Sequence, residues 1–313
     1  SFSEVVGIYY GEKYFGEEAK KDVVEMVKKI IETYKSRIKA STFLKEETKE
    51  KAILKLNTMK IKMGYPDKWD KFYDTLEVDP ETSYYEMLHK IANQGGHHNL
   101  EQLHKPVDHN EWAMPGHLVN ACYDPTSNDI TFPAAILQKP FYSLSQKPEE
   151  NLGGIGAVIG HEISHAFDNN GAQCDENGNL NNWWTEDDYN HFQELTKDMI
   201  AEFDGIEING GKVNGELVVS ENIADNGGMA VTLEIMSHME NADYQAYFKN
   251  WARVWCIKAR PEYLNLLLST DVHSPAVLRA NMQPRNFPEW YKAFDVKETD
   301  EMYIAPEKRI IIW

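Results

Sequence analysis

Two histidines four residues apart, His161-Glu162-Ile163-Ser164-His165, are the residues of this chain best suited to chemistry. On a helix, side chains at i and i+4 lie on one face, so both imidazoles can hold one metal ion from the same side. Glu162 is rotated away from that face and can reach a water beside the metal rather than the metal itself. The same pentapeptide also occurs where two helix histidines are merely satisfied by hydrogen bonds, so its meaning depends on a third donor. A hydrolytic zinc takes three protein ligands and leaves a fourth position open, and a carboxylate commonly accompanies a histidine pair. Glu221 offers that carboxylate, in residues 220–228 (SENIADNGG). Ser220 is expected to cap a helix there, with Glu221 and Asp225 on one of its faces. One carboxylate could bind metal while the other accepts the spare ring N–H of a ligand histidine, fixing its tautomer. Asp168, three residues after His165, can serve the other histidine in the same way. On spacing alone, a solvated acidic first turn accounts for Glu221 and Asp225 equally well.

These groups need elements to hold them. Pro148-Glu149-Glu150 offers a helix start ahead of the histidines, with Ile155, Val158 and Ile159 as apolar cover. Val23, Met26, Val27, Ile30, Ile31 and Tyr34 recur at helical spacing within 17–38, so one face of that helix is buried. Residues 45–60 read as a second helix, stopped by Gly64-Tyr65-Pro66, and residues 93–110 as a polar loop. Residues 129–132 (DITF) read as a short strand ended by Pro133, suited to a sheet edge along which a peptide could pair. Residues 185–203, 221–239 and 242–258 read as helices, and the chain opens in what looks like a strand or loop. The expected class is α+β, mainly helical, with a small β-sheet.

Residues 161–168 (HEISHAFD), 221–228 (ENIADNGG) and 270–275 (TDVHSP) resemble the neprilysin-like zinc metallopeptidases, which include endothelin-converting enzyme and bacterial oligopeptidase O. Further matches are Val119-Asn120-Ala121, residues 132–138 (FPAAILQ), Val254-Trp255-Cys256 and Arg260-Pro261-Glu262-Tyr263, all in the family's order from near Tyr9 to Trp313. The resemblance implies a thermolysin-like zincin (gluzincin) lobe holding one zinc ion through His161, His165 and Glu221. It makes Glu162 the general base, and Asp225 and Asp168 the acids that orient the two histidines. His273, two residues after Asp271, would stabilise the tetrahedral intermediate. Asn120 and Ala121 would hydrogen-bond the substrate backbone, and Arg279 would grip a substrate carbonyl. The hydrophobic pocket would map to Ile136, Phe141, Ala157, Val158, Val254 and Trp255, with Ala157 smaller than the methionine associated with that position.

The implied activity is endopeptidase cleavage of oligopeptides before hydrophobic residues. An exopeptidase, or an incompetent fragment, are the competing readings. The family's proteins are about twice this length, and the chain opens at Ser1 without an initiator Met. A C-terminal portion of a longer polypeptide is therefore expected, with residues 1–60 as a helical segment linking to an absent N-terminal helical lobe and 61–313 as the catalytic domain. That N-terminal half and oligopeptide substrates are the expected partners.

The chain has 313 residues, 42% hydrophobic and 12% aromatic, as expected of a globular protein with a sizeable core. A net charge of −18 with no basic stripe disfavours nucleic acid or an anionic membrane surface as partners. No apolar run is long enough to span a bilayer. Cys122, Cys174 and Cys256 make a poor disulfide framework. Animal ectoenzymes of the resembled family carry a cysteine shortly before a C-terminal Trp, where this chain has Ile310 before Trp313. That points to a reducing, cytoplasmic compartment of the bacterial type, with Cys256 as a buried thiol.

Three further patterns carry less. Gly154, Gly156 and Gly160 lack phosphate-loop spacing and a following lysine, so close packing of the histidine helix explains them better. Asp175, Asn177 and Asn179 mimic a calcium loop, but Leu180 stands where the turn glycine is required, so a hairpin turn is expected. His97, His98, His104 and His109 lie in polar sequence without helical spacing and read as solvated.

Overall fold

The computed structural model describes residues 2–68 and 71–312, which leaves Ser1, Trp69, Asp70 and Trp313 outside the described residues. The chain opens in a helix, α1 (Ser3–Tyr14), rather than a strand or loop, and α2 follows (Gly16–Ala40). One face of α2 buries Val23, Val27, Ile30, Ile31 and Tyr34. The Tyr34 hydroxyl donates to the carbonyl of Gly160 at 2.8 Å, docking this helix on the histidine helix. Buried residues between Ala19 and Met59 thus share one apolar cluster with the later helices.

Helix α3 (Glu46–Thr58) ends before Lys60, because Lys60–Gly64 forms strand β1. Its residues alternate too briefly to signal a strand; pairing in parallel with β3 (Asp129–Pro133) creates it. Residues expected as a loop instead contribute to α4 (Tyr84–Gln102), capped by Ser83, whose side chain accepts from the Glu86 N–H. Only Ile91 of α4 is buried, so the helix carries little apolar periodicity. His97 and His98 therefore sit on a helix, but no metal-holding group forms there among the described residues.

Strand β2 (Cys122–Asp124) completes a sheet of order β1-β3-β2. The sequence placed DITF at an edge, but β3 is central and buried throughout, with Pro133 tolerated at its last position. The edge beside the functional cleft is β2, antiparallel to β3.

Helix α5 (Pro148–Asn151) opens into a wide turn over Leu152–Gly156 before α6 (Ala157–Ser164), which carries the histidines. After α6, Asp175 Oδ1 accepts from the backbone of Asn177 at 2.9 Å and of Asn179 at 3.0 Å, closing the expected hairpin turn. Helix α7 (Glu186–Phe203) and the two-residue strands β4 (Glu207–Ile208) and β5 (Gly211–Lys212) lead to α8 (Gly215–Ser237). Asn214 caps α8, accepting from Glu216 at 3.0 Å and Leu217 at 3.2 Å. Ser220 is therefore not the cap, and Glu221 lies beyond the first turn rather than in it. The remaining helices are α9 (Tyr244–Val254), α10 (Pro261–Thr270), α11 (Ala276–Met282) and α12 (Pro288–Phe294). Cys256 is exposed just beyond α9, not buried, while Cys174 is buried and all three thiols are free. No helix among the described residues is long and apolar enough to cross a membrane.

Helices α6 and α8 approach through glycines. A Cβ on Gly228 would sit 2.3 Å from the Ala157 carbonyl oxygen and 2.6 Å from the His161 nitrogen, distances no side chain tolerates. One on Gly160 would lie 2.7 Å from the Gly228 Cα. The Gly228→Ala variant is expected to lose about 1–3 kcal/mol of stability through overpacking. Urea unfolding midpoints measure this, and an unchanged midpoint would mean the contact is not tight.

Candidate metal centre and active-site cleft

The α6–α8 contact brings two helix faces together. His161 Nε2 and His165 Nε2 stand 3.0 Å apart, and Glu221 Oε2 lies 3.1 Å from the first and 3.5 Å from the second. Each ring's other nitrogen meets an acceptor: His161 Nδ1 donates to Asp225 Oδ1 at 2.8 Å, and His165 Nδ1 to Asp168 Oδ2 at 2.6 Å. With the protons held on Nδ1, the two Nε2 lone pairs converge on each other and on a carboxylate oxygen. Buried Glu221 Oε2 has no hydrogen-bond partner. Lone pairs facing one another at such distances repel unless a cation lies between them.

Three donors at roughly 2.0–2.2 Å from one tetrahedral ion stand roughly 3.3–3.5 Å apart, close to the spacing found. Two imidazole nitrogens and a carboxylate oxygen are donors that zinc accepts. No other group of three or more candidate ligands forms among the described residues.

The electrostatics agree. Burial opposes charge on Glu221, yet His161, His165 and His273 around it drive its carboxyl far below the usual range. Burial likewise disfavours charge on His161 and His165, but the carboxylates at both nitrogens raise both. Asp225, despite its burial, is held down at about 2 by the Arg279 guanidinium and His161. The cluster stabilises positive charge at the point where the donors meet.

Glu162 is buried and lines the cleft beside the donors. His273 places Nε2 3.2 Å from Glu221 Oε2, while Asp271 accepts from its Nδ1 at 2.8 Å and from its backbone N–H at 2.9 Å. The next residue, Ser274, donates to Asn222 Oδ1 at 2.8 Å, tying the His273 loop to α8. Arg279 donates twice to Asp225, from Nε at 2.8 Å and Nη2 at 2.6 Å, and its guanidinium lies 3.7 Å above the Trp255 ring. Asp225 thus joins the histidine helix to Arg279.

The cleft has a volume of about 490 Å³. Asn120 and Ala121 form part of its wall with Ile136, Phe141, Val158 and Trp255, and Arg279 reaches it. Two residues of the expected pocket do not line it. Val254 ends α9 and is not part of the cleft wall, which Trp255, one residue on, helps form. Ala157 is fully buried where α6 meets α8.

Sequence reading missed Cys122, Tyr123, Asn170, Gly171 and Ser220 as lining residues. Ser220, expected as a cap, donates its hydroxyl to Asp168 Oδ2 instead. Asn170 and Gly171, which reach the cleft beyond the HEISH stretch, carry no spacing that would have marked them.

Two models described as peptidase family M13 match the chain, over residues 120–310 and residues 1–66. A neutral endopeptidase of Lactococcus lactis subsp. lactis is 51% identical over 312 residues, covering 100% of this chain and 50% of the relative. Neprilysin-1 of Caenorhabditis elegans is 36% identical over 98% of this chain and 44% of its own length. The crystal structure of PEPO from Lactobacillus rhamnosis HN001 superposes with a TM-score of 0.95 at 51% identity, over 100% of this chain and 50% of that one. Mycobacterium tuberculosis zinc metalloprotease ZMP1 in complex with inhibitor gives a TM-score of 0.87 at 35% identity, over 98% of this chain and 49% of that one. The chain spans about half the length of the relatives it matches. With the helical zincin architecture and these matches together, the chain belongs to peptidase family M13, the neprilysin-like metallopeptidases.

Proposed function

We propose that this chain carries the catalytic machinery of a zinc-dependent endopeptidase that hydrolyses oligopeptides. The observation that carries the reading is the convergence of His161 Nε2, His165 Nε2 and Glu221 Oε2 with no hydrogen bond to satisfy the carboxylate oxygen. The donor set suits one zinc ion held by those three side chains. When bound there, zinc polarises a carbonyl and lowers the pKa of a water ligand to about 7.

The chain's own residues supply the rest. Glu162 accepts the proton of the attacking water and passes it to the leaving amide nitrogen, so the C–N bond breaks as the amine forms. His273, whose Nδ1 is engaged by Asp271, presents Nε2 to the oxygen on which negative charge grows. Asp225 and Asp168 hold the two imidazoles in the tautomer that leaves Nε2 free. Asn120, Ala121 and the β2 edge align an extended peptide by main-chain hydrogen bonds. The apolar wall of Ile136, Phe141, Val158 and Trp255 favours a hydrophobic residue just after the scissile bond. Arg279 stands at that wall for a substrate carbonyl, with its remaining N–H groups beyond those given to Asp225.

The family resemblance implies that the relatives' additional length forms a lobe that would cover the cleft and limit substrates to short peptides. Activity of the whole protein therefore belongs to the complete polypeptide. Zinc content and cleavage of an internally quenched peptide blocked at both ends, with and without the additional half, test the reading. Stoichiometric zinc with internal cleavage is expected; zinc-free protein that still cleaves, or a strict need for a free terminus, would overturn it.

The His273→Ala variant is expected to lower kcat by about 10²–10³-fold with little change in KM, because its donor meets charge that develops in the transition state. Steady-state kinetics separate the two constants. A raised KM at unchanged kcat would assign His273 to substrate binding instead.

A further inference from the structure

Lys55, on α3, is a buried cation that the proposed reaction does not use. Its side chain is 1% exposed and forms no salt bridge among the described residues. The ammonium instead donates to three backbone carbonyls, those of Ala166 at 2.9 Å, Gly171 at 2.8 Å and Cys174 at 2.6 Å. Three N–H groups meet three acceptors, all from the segment that follows the histidine helix. Burial pulls the Lys55 pKa down to about 8, so the group is still an ammonium at neutral pH. An uncompensated buried charge is costly, and a cation just beyond a helix C-terminus is one of the few favourable places for it.

The segment it gathers carries Asp168. Asp168 Oδ1 accepts from the backbone N–H of Asn170 at 2.8 Å and of Gly171 at 2.7 Å. That leaves Oδ2 for the His165 Nδ1 proton and the Ser220 hydroxyl. Gly171 is therefore gripped from both sides, its carbonyl by Lys55 and its N–H by Asp168. It also presses on the end of α6: a Cβ there would fall 1.8 Å from the His165 carbonyl oxygen. The Lys55 ammonium further lies 5.8 Å from the ring of Tyr123, a residue of the cleft wall.

We propose that Lys55 is a positioning residue for the metal centre, folding residues 166–174 beneath the end of α6 so that Asp168 is set against His165. The inference rests on the zinc-site reading of the same histidines.

The test uses this chain with Lys55→Met, which keeps much of the volume and removes the three donors. Zinc affinity is measured by competition with a chromophoric chelator, and stability of the zinc-free protein by urea unfolding. Lys55→Met is expected to weaken zinc by about 10–100-fold, the range for groups that orient ligands. Combined with Asp168→Ala, it should add little to the loss that Asp168→Ala causes alone, since both act through one carboxylate. Thr48→Val, on the same helix but bonded to Asp188, is the structural control, expected to lower stability without weakening zinc. Should Lys55→Met not fold, Lys55→Gln, which retains two N–H donors, carries the same comparison.

A metal-free readout runs alongside. The His165 Nδ1 proton, followed by NMR, should exchange with solvent at least about tenfold faster in the Lys55 variant. Wild-type zinc affinity and ring-proton exchange in Lys55→Met would overturn the proposal. So would losses that multiply with those of Asp168→Ala, or equal zinc loss in Thr48→Val. If the unsubstituted chain binds no zinc, the functional reading fails, and the ring-proton exchange still decides the role of Lys55.

Discussion

Glu162→Gln is expected to bind zinc as the parent does while losing about 10²–10⁴-fold in kcat, the share that a positioned base supplies. The two side chains have nearly the same size, so the cleft and the donor triangle of His161, His165 and Glu221 stay as they are. What disappears is the ability to accept a proton from water beside the scissile carbonyl and return it to the leaving nitrogen. Zinc content by elemental analysis and turnover of a quenched peptide by the complete polypeptide measure both halves of this expectation. Normal cleavage at full metal occupancy would remove Glu162 from the reaction.

Glu221→Gln makes the complementary change, leaving the base intact and removing the one anionic donor. Its Oε2 sits 3.1 Å from His161 Nε2 and 3.2 Å from His273 Nε2, where an amide would bring no charge. Zinc affinity is expected to fall by at least about 100-fold, more than the loss from any group that only orients a ligand. Activity should fall with it, and added zinc should restore part of that activity. Chelator competition reads the affinity directly. An unchanged affinity would mean that the third donor lies elsewhere, and the peptidase reading would go with it.

The local parts of the site were legible because helical geometry is local. Spacings of four between His161 and His165 and between Glu221 and Asp225 place side chains on shared faces whatever the rest of the chain does, whereas Asp168 lies past the end of α6 and meets His165 through the turn that follows. Ser220 shows where this stops. As a serine ahead of an acidic turn it reads as a cap, yet Asn214 begins α8 a turn and a half earlier, and the Ser220 hydroxyl goes to Asp168 instead. Residues 215–219 read poorly as helix because Val218 and Val219 are β-branched; their burial against neighbouring helices outweighs that preference.

Elements made by pairing were misread for a related reason. Lys60–Gly64 has too little pattern to declare itself a strand, and it is one only because β3 lies alongside. That same pairing moved Asp129–Pro133 from the expected edge to the centre of the sheet and left Cys122–Asp124 as the edge beside the cleft. Cys256, expected to be buried, is exposed because α9 ends at Val254 and the chain turns outward.

The sequence by itself determined the chemistry on offer: two imidazoles on one helix face, a glutamate beside them, acids one turn away, and motifs that mark the family. Only the tertiary structure decided how far apart α6 and α8 sit. That spacing comes from Gly160 against Gly228, a contact between residues far apart in the chain that no local pattern encodes. It also decided what Lys55 does, since an ammonium among three carbonyls exists only once α3 and residues 166–174 have met. Helical spacing is a property of bonded neighbours, whereas the distance between helices is set by which side chains are absent where they touch.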